Sequence, residues 1–375
     1  MRGKWEAMQH WTRPGLRAVS ARESRAVPTR GKRAVSTHGK RAAPTRGKRL
    51  AVTAALCAAA VAATACGSST GTETRADGTL SFTVAVVEPD ITTVPLLAAV
   101  DAVRRQGHDV DVVELAAPEL AIEGLAKGDY AISAEATGPA LSAIEQHAPI
   151  KIIADVVGNQ WALYGKPGIA SCDDLDRRPF GIFSAGAVAT AMAKDWVRTQ
   201  CGDGKRPRYL TLGGSEVRAQ ALASGEIDAT PLEVSDAVAL ESADAPAAAG
   251  LTKLADFARS LPDVHPQTVY ANADFLTGHR DVAQLFVTAL VREHARINER
   301  PQHLARLART YLPGEDESDL ARVAERYREA GLFDAAALTR NNVQGTIDFF
   351  ARAGVIGRRV AAEDAVDLSF IRAAS

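Results

Sequence analysis

Cysteine is scarce in this chain: four in 375 residues, at positions 57, 66, 172 and 201. There is no Cys-X-X-Cys pair, no His-Glu-X-X-His, no Gly-X-Ser-X-Gly and no Walker phosphate loop, so the common zinc, hydrolase and nucleotide-hydrolysis signatures are missing. The histidines beyond residue 66 (His108, His147, His265, His279, His294 and His303) are scattered and give no metal-ligand spacing. No metal, no cofactor and no catalytic residue is therefore expected. After Ala65 no apolar run reaches the roughly 20 residues of a bilayer span. A basic surface is lacking too, once the leader is set apart. The first 50 residues hold 14 of the 44 Lys and Arg but two of the 45 Asp and Glu, leaving 30 basic against 43 acidic side chains, a net of −13. Such a surface argues against nucleic acid and against peripheral binding to anionic lipid.

What the chain does have begins with a leader. Residues 25–32, 33–40 and 41–48 repeat a basic octet with no apolar periodicity, expected to be disordered. Leu50–Ala65 is an uncharged, alanine-rich run that follows this basic stretch and ends in small residues, the three-part form of an export signal. Ala63-Thr64-Ala65-Cys66 resembles the bacterial lipobox, in which the cysteine is acylated and becomes the new N-terminus; Ala63 replaces the usual leucine. Two outcomes follow: a palmitate-type lipid anchor at Cys66 on the outer face of the cell membrane, or ordinary secretion after cleavage near Ala65. Either removes the residues before about 66. Cys172 and Cys201 then remain in an oxidising compartment, as a disulfide or as two buried thiols.

Residues 67–78 are polar and read as a flexible tether. Leu80–Val87, Asp109–Leu115, Tyr130–Ser133 and Ile150–Val157 carry strand patterning. Helical spacing separates them at Val94–Arg105, Pro118–Lys127 and Gly138–Gln146. The alternation restarts beyond Trp161, with strands at Pro179–Phe183, Arg208–Leu212 and Glu226–Thr230. It predicts an α/β fold of two lobes facing each other across a cleft. Lobe 1 is expected to take residues 79–162 plus 253–375, and lobe 2 residues 163–252. Beyond Leu251 helices dominate, and this tail is expected to pack on lobe 1. The lobes would swing about Gly158–Tyr164 and Ser242–Lys253.

Four phrases, in this order and behind a lipobox, carry a family resemblance: Leu125–Asp129, Gly168–Leu175, Pro179–Phe183 and Leu222–Ala229. The chain resembles the solute-binding lipoproteins of ABC importers in the nitrate, sulfonate and thiamine-precursor group. It departs from them in the first helix, where Val103–His108 replaces a Gly-X-Phe pattern. The resemblance implies a type II periplasmic-binding-protein fold, an extracytoplasmic monomer, and permease and ATPase subunits as partners.

Open parallel sheets bind ligands at the carboxyl ends of their strands. That rule selects Glu88, Asp90, Thr92 and Thr93, then Glu135 and Thr137, then Ser184, Gly186 and Ala187, and finally Glu233. Asn159, Gln160 and Trp161 lie at the crossover between lobes, where a ligand can be touched from either side. Any one of the carboxylates taken alone also fits a helix cap, and Trp161 alone also fits a packed hinge. Together, carboxylates and an aromatic with few cations fit an amine-bearing nitrogen heterocycle, such as a thiamine precursor, better than an oxyanion. The backbone N–H groups that open a helix at Ser184–Ala187 keep a nitrate- or sulfonate-like anion open as the alternative. A ligand-sensing lobe of a signalling system, or an enzyme on the same fold, is the alternative of another class.

Overall fold

The computed structural model describes residues 16–18, 71–201, 204, 206–242, 250–313, 317–357 and 360–374. The octet repeat, the export signal and the candidate lipid site Cys66 lie outside the described residues.

Two sheets organise these residues. The first contains β1 (Leu16–Ala18), β2 (Thr72–Thr74), β3 (Leu80–Val87), β4 (Asp109–Leu115), β5 (Ile132–Ala136) and β6 (Ile150–Val157). The second contains β7 (Ala162–Gly165), β8 (Pro179–Ile182), β9 (Arg208–Thr211), β10 (Ala229–Leu232) and β11 (Thr252–Asp256), after which β12 (Gln267–Asn272) returns to the first. The hydrogen-bonded orders are β1-β4-β3-β5-β12-β6, with β2 on β3, and β11-β7-β10-β8-β9. β3 runs parallel to β4 and β5, and its residues Val84 to Val87 are all buried. A continuous apolar run is what a parallel strand covered on both faces requires.

The helices between strands are α1 (Val94–Arg104), α2 (Pro118–Lys127), α3 (Thr137–Glu145), α4 (Val188–Gln200), α5 (Ser215–Ser224), α6 (Val234–Ser242) and α7 (Phe257–Ser260). Pro95 and Pro118 sit in first turns, where the missing N–H costs nothing. Two Leu-Ala-X-Gly phrases close α2 and α5 with Gly128 and Gly225 in the left-handed conformation, φ +80° and +79°. Ser171 and Asp174 form a reciprocal capping box on a 3₁₀ turn at Cys172–Leu175. From that turn a disulfide joins Cys172 to Cys201 at the end of α4, with Cα atoms 5.0 Å apart.

Four elements differ from expectation. Thr72–Thr74 is not free tether: it pairs antiparallel with Leu80–Phe82, a part of β3 that β5 does not reach. Leu16–Ala18, in the stretch expected to be a leader, pairs in parallel with β4. Both contacts are backbone pairing on a sheet edge, which needs no apolar side chain. Gln267–Asn272 is a strand where helix was expected to dominate. It inserts antiparallel between β5 and β6 with every residue buried, and its Gln, Thr and Asn side chains conceal the core pattern. Thr252–Asp256 stays in the second sheet beside β7, so the chain crosses back after Asp256 rather than between Ser242 and Lys253.

The remaining helices are α8 (Ala273–Gly278), α9 (Arg280–Glu299), α10 (Gln302–Tyr311), α11 (Glu317–Glu329), α12 (Arg340–Arg352), α13 (Ala362–Ala365) and α14 (Ser369–Ala374). α9 and α10 pack on α1, and α14 packs on α9, as expected of a tail on the first sheet. α11 also reaches the second sheet's helix α6, where Arg326 donates to Glu241 at 2.8 Å. Its buried stripe of Leu320, Val323, Ala324 and Tyr327 recurs at helical spacing, so one face can serve both neighbours. Among the described residues no helix is long and apolar enough to cross a membrane.

Candidate functional site

The carboxyl ends of β3, β5 and β10 bring Asp90, Glu135 and Glu233 together, joined by Asp236 from the first turn of α6. Asp90 is held rigidly. Its Oδ1 accepts from the Thr92 N–H at 2.9 Å and hydroxyl at 2.6 Å, and from the Thr93 N–H and hydroxyl at 3.3 Å each. Thr92 and Thr93 therefore orient Asp90. Glu88 lies two residues earlier at φ +40°, a left-handed conformation that costs a non-glycine residue of order 1 kcal/mol. Its Oε2 approaches Gly214 at the start of α5, so it too spans from the first sheet to the second.

Burial dominates the electrostatics. It pushes the Glu135 carboxyl up to about 8, aided by the charges of Asp90 and Glu88 and opposed by a hydrogen bond from Gln267. One Glu135 oxygen is buried without a hydrogen-bond partner. Glu233 is raised well above the carboxylate range by burial, then by Asp90 and Asp236, and it hydrogen-bonds Asp90. Asp236 rises to about 6 through burial, against the Ser215 hydroxyl and the Arg218 charge. Glu88 is raised by burial as well, with Arg218 opposing.

Arg218 was not anticipated. It is 1 % exposed, and its guanidinium lies 5.9 Å from the Trp161 ring and 6.0 Å from Phe183. Nη1 donates to the Gly213 carbonyl and Nη2 to the Pro231 carbonyl at 3.3 Å, while Nε has no partner. The signal was present in helix spacing: Arg218, Ala221 and Leu222 share one inward stripe of α5. Trp161 is buried with an unpartnered Nε1–H, and Arg218 stands against its ring. The expected stacking role thus has a competitor inside the protein.

Other selected residues make hydrogen bonds within the fold. Asn159 Nδ2 donates to the Phe257 and Leu261 carbonyls at 3.2 and 3.4 Å, which ties the two crossings together. Thr137 Oγ1 donates to the His265 carbonyl at 2.8 Å and meets Thr268 at 3.1 Å. Gln160, between them at the crossover, donates to Gln267 at 2.8 Å and accepts from Tyr327. Tyr327 is raised well above its ordinary value by burial and by Glu233, Asp90 and Asp236, which keeps its hydroxyl protonated beside the cluster. Ser184 and Ala187 form a turn (N–H to carbonyl, 3.4 Å) ahead of α4, whose N-terminus has no side-chain cap. A Cβ on Gly186 would meet nothing within 4 Å, so glycine is not needed there for space. Among the described residues no cluster of His, Cys, Asp and Glu is placed to hold a metal.

Two α/β sheets whose strand-end loops meet over one buried polar cluster define a cleft-type binding fold. The chain belongs to the NMT1/THI5-like family, which it matches over residues 104–303. Solved structures share the fold. The ligand-binding component of an ABC-type import system from Staphylococcus aureus, with zinc bound, superposes with a TM-score of 0.63 at 15% identity, over 78% of this chain and 98% of that one. The alkanesulfonate-binding protein SsuA from Xanthomonas axonopodis pv. citri, bound to MOPS, gives 0.59 at 16%, over 76% and 98%. The periplasmic nitrate-binding protein NrtA from Synechocystis PCC 6803 gives 0.62 at 9%, over 78% and 87%. No curated protein sequence matches the chain.

Proposed function

We propose that this protein is the solute-binding component of an ABC importer. It captures a small molecule between two lobes built on the two sheets, and delivers it to a permease whose ATPase is a separate subunit. The observation that carries the reading is the meeting of Asp90 and Glu135 from the first sheet with Glu233 and Asp236 from the second. A solute touching both sides favours the closed arrangement, which a permease can then recognise. The role is binding, not catalysis. Its setting is the extracytoplasmic face of the membrane, with Cys66 as lipid anchor, and the working unit is a monomer without nucleic-acid partners.

For the solute, a nitrogen heterocycle bearing an amino group, of the thiamine-precursor kind, fits the chemistry best. Its N–H groups would donate to Glu135, Glu233 and Asp236. A ring nitrogen would accept from the unpartnered donors Trp161 Nε1–H and Arg218 Nε–H. Because Arg218 stands against the Trp161 ring, edge-on hydrogen bonding is favoured over stacking. A second reading, an oxyanion, is supported by Arg218, by the uncapped start of α4 and by the nitrate- and alkanesulfonate-binding neighbours. Thermal melts of the protein with an aminopyrimidine, thiamine, nitrate and an alkanesulfonate separate the two. The aminopyrimidine or thiamine should raise Tm by several degrees; a panel in which nothing shifts Tm would sink the capture reading.

A further inference from the structure

α11 touches both halves of the fold: it packs on α10 and α9 of the tail and on α6 of the second sheet. Two neighbouring residues on it reach different partners. Tyr327 is fully buried and donates its hydroxyl to Gln160 Oε1, on the first crossing between the sheets. From there the Gln160 amide donates inward to Gln267 Oε1 of β12 at 2.8 Å. Just beyond α11, Phe333 stacks on Tyr327 with ring centroids 5.1 Å apart. The Leu332 carbonyl accepts from the Gly158 N–H at 2.8 Å. This end of α11 is therefore fixed to the crossing by buried, uncharged contacts, which salt does not screen.

Arg326 makes the other attachment, and it differs in kind. It donates to Glu241 of α6 at 2.8 Å, with side chains 52 % and 53 % exposed. Its neighbours Arg322 and Arg328 pair along α11 itself, with Asp319 and Glu325, whereas Arg326 reaches off the helix to the second sheet's side. The pair borders a groove of about 160 Å³ between α6 and α11, open to water. An ion pair so exposed is weak and salt-sensitive, so it can break without unfolding either side.

We propose that α11 is a strap across the hinge: Tyr327 pins it at Gln160, and the Arg326–Glu241 pair latches the second lobe to it, biasing the lobes toward the arrangement of this structure before any solute arrives. The latch rests on the moving lobes of the solute-capture reading and not on the identity of the solute. Where two lobe arrangements are nearly balanced, such a pair shifts their ratio by about two- to fivefold.

Pulsed electron spin resonance on the full chain, without solute, tests the strap. Leu120 on α2 and Val217 on α5 are exposed, one beside each sheet, and take spin labels as Leu120→Cys and Val217→Cys. Cys57 and Cys66 are replaced by Ser in this background, and the Cys172–Cys201 bridge is kept. In low salt Arg326→Glu, which sets two carboxylates against each other, should deplete the main wild-type distance by about threefold. Adding Glu241→Arg to it should restore that distance. Molar salt should move the wild type toward the single variant. Equal distributions in wild type and Arg326→Glu, a shift that the double exchange fails to reverse, or a wild type indifferent to salt would each overturn the latch. Tyr327→Phe keeps the ring and loses the hydroxyl, and should broaden the distribution at both salt concentrations; an unchanged distribution would remove Tyr327 as the pin. Adding an aminopyrimidine, thiamine, nitrate or an alkanesulfonate tests capture separately. If none of them changes the distances, the capture reading loses support, while the solute-free comparison still decides the latch.

Discussion

The Arg218 guanidinium stands 5.9 Å from the ring of Trp161. Trp161 is the residue on which the chain enters the second sheet, and Arg218 belongs to a helix of that sheet. A buried charge thus supports the hinge side of the site and, through Glu233, Asp236 and Glu88, its acidic side.

Removing it should be expensive. Arg218→Ala leaves buried carboxylates without their neighbouring cation and two carbonyls without a donor, so urea denaturation should show a loss of about 3–5 kcal/mol. Arg218→Lys should recover little, because an ammonium cannot span the Gly213 and Pro231 carbonyls as the planar fork does.

Stability should depend on pH through Glu135. Its folded-state pKa of about 8 exceeds the ordinary carboxylate value, so the native state holds a proton that the unfolded chain releases. The contribution is complete below pH 4 and is lost as pH rises toward 8. Glu135→Gln should flatten this slope and leave the variant more stable than wild type at pH 8 by roughly 3 kcal/mol. Chemical denaturation at pH 5 and pH 8 gives the comparison; parallel wild-type and variant profiles would contradict it.

Glycines separate by conformation. Gly128→Ala and Gly225→Ala force a side chain into left-handed backbone and should each cost about 1–2 kcal/mol in a thermal melt. Gly186→Ala has open space, and should change stability by less than about 0.5 kcal/mol. A drop in solute affinity at unchanged Tm would show that the solute approaches the backbone there.

The Cys172–Cys201 bridge closes a loop with a sequence separation of 29. The double Cys→Ser variant should lose about 3–4 kcal/mol, read as a lower urea midpoint than the oxidised protein under identical conditions.

Where local chemistry speaks alone, the chain is legible. β3, β4, β6, α2 and α5 fall where apolar periodicity, first-turn prolines and closing glycines place them. β12 was illegible because its Gln267, Thr268 and Asn272 are polar, yet the sheet buries and hydrogen-bonds all three. The site shows the same split. Glu88, Asp90, Glu135 and Glu233 follow from the rule that strand ends line clefts. Thr137, selected by the same rule, and Asn159, selected at the crossover, also donate to carbonyls 98 or more residues away in sequence, which no local pattern reveals.

Sequence alone sets the basic charge of the first 50 residues, the acidic charge of the rest, the α/β alternation and the presence of Cys172 and Cys201. Each is set by composition or by spacing within one element. Tertiary structure alone decided that Glu233 meets Asp90, that Arg218 is buried against Trp161, and that α11 reaches across to α6. Those outcomes depend on which strand ends face each other after two crossings. Desolvation then turns ordinary carboxyls into proton carriers, an effect that has no counterpart in an extended chain.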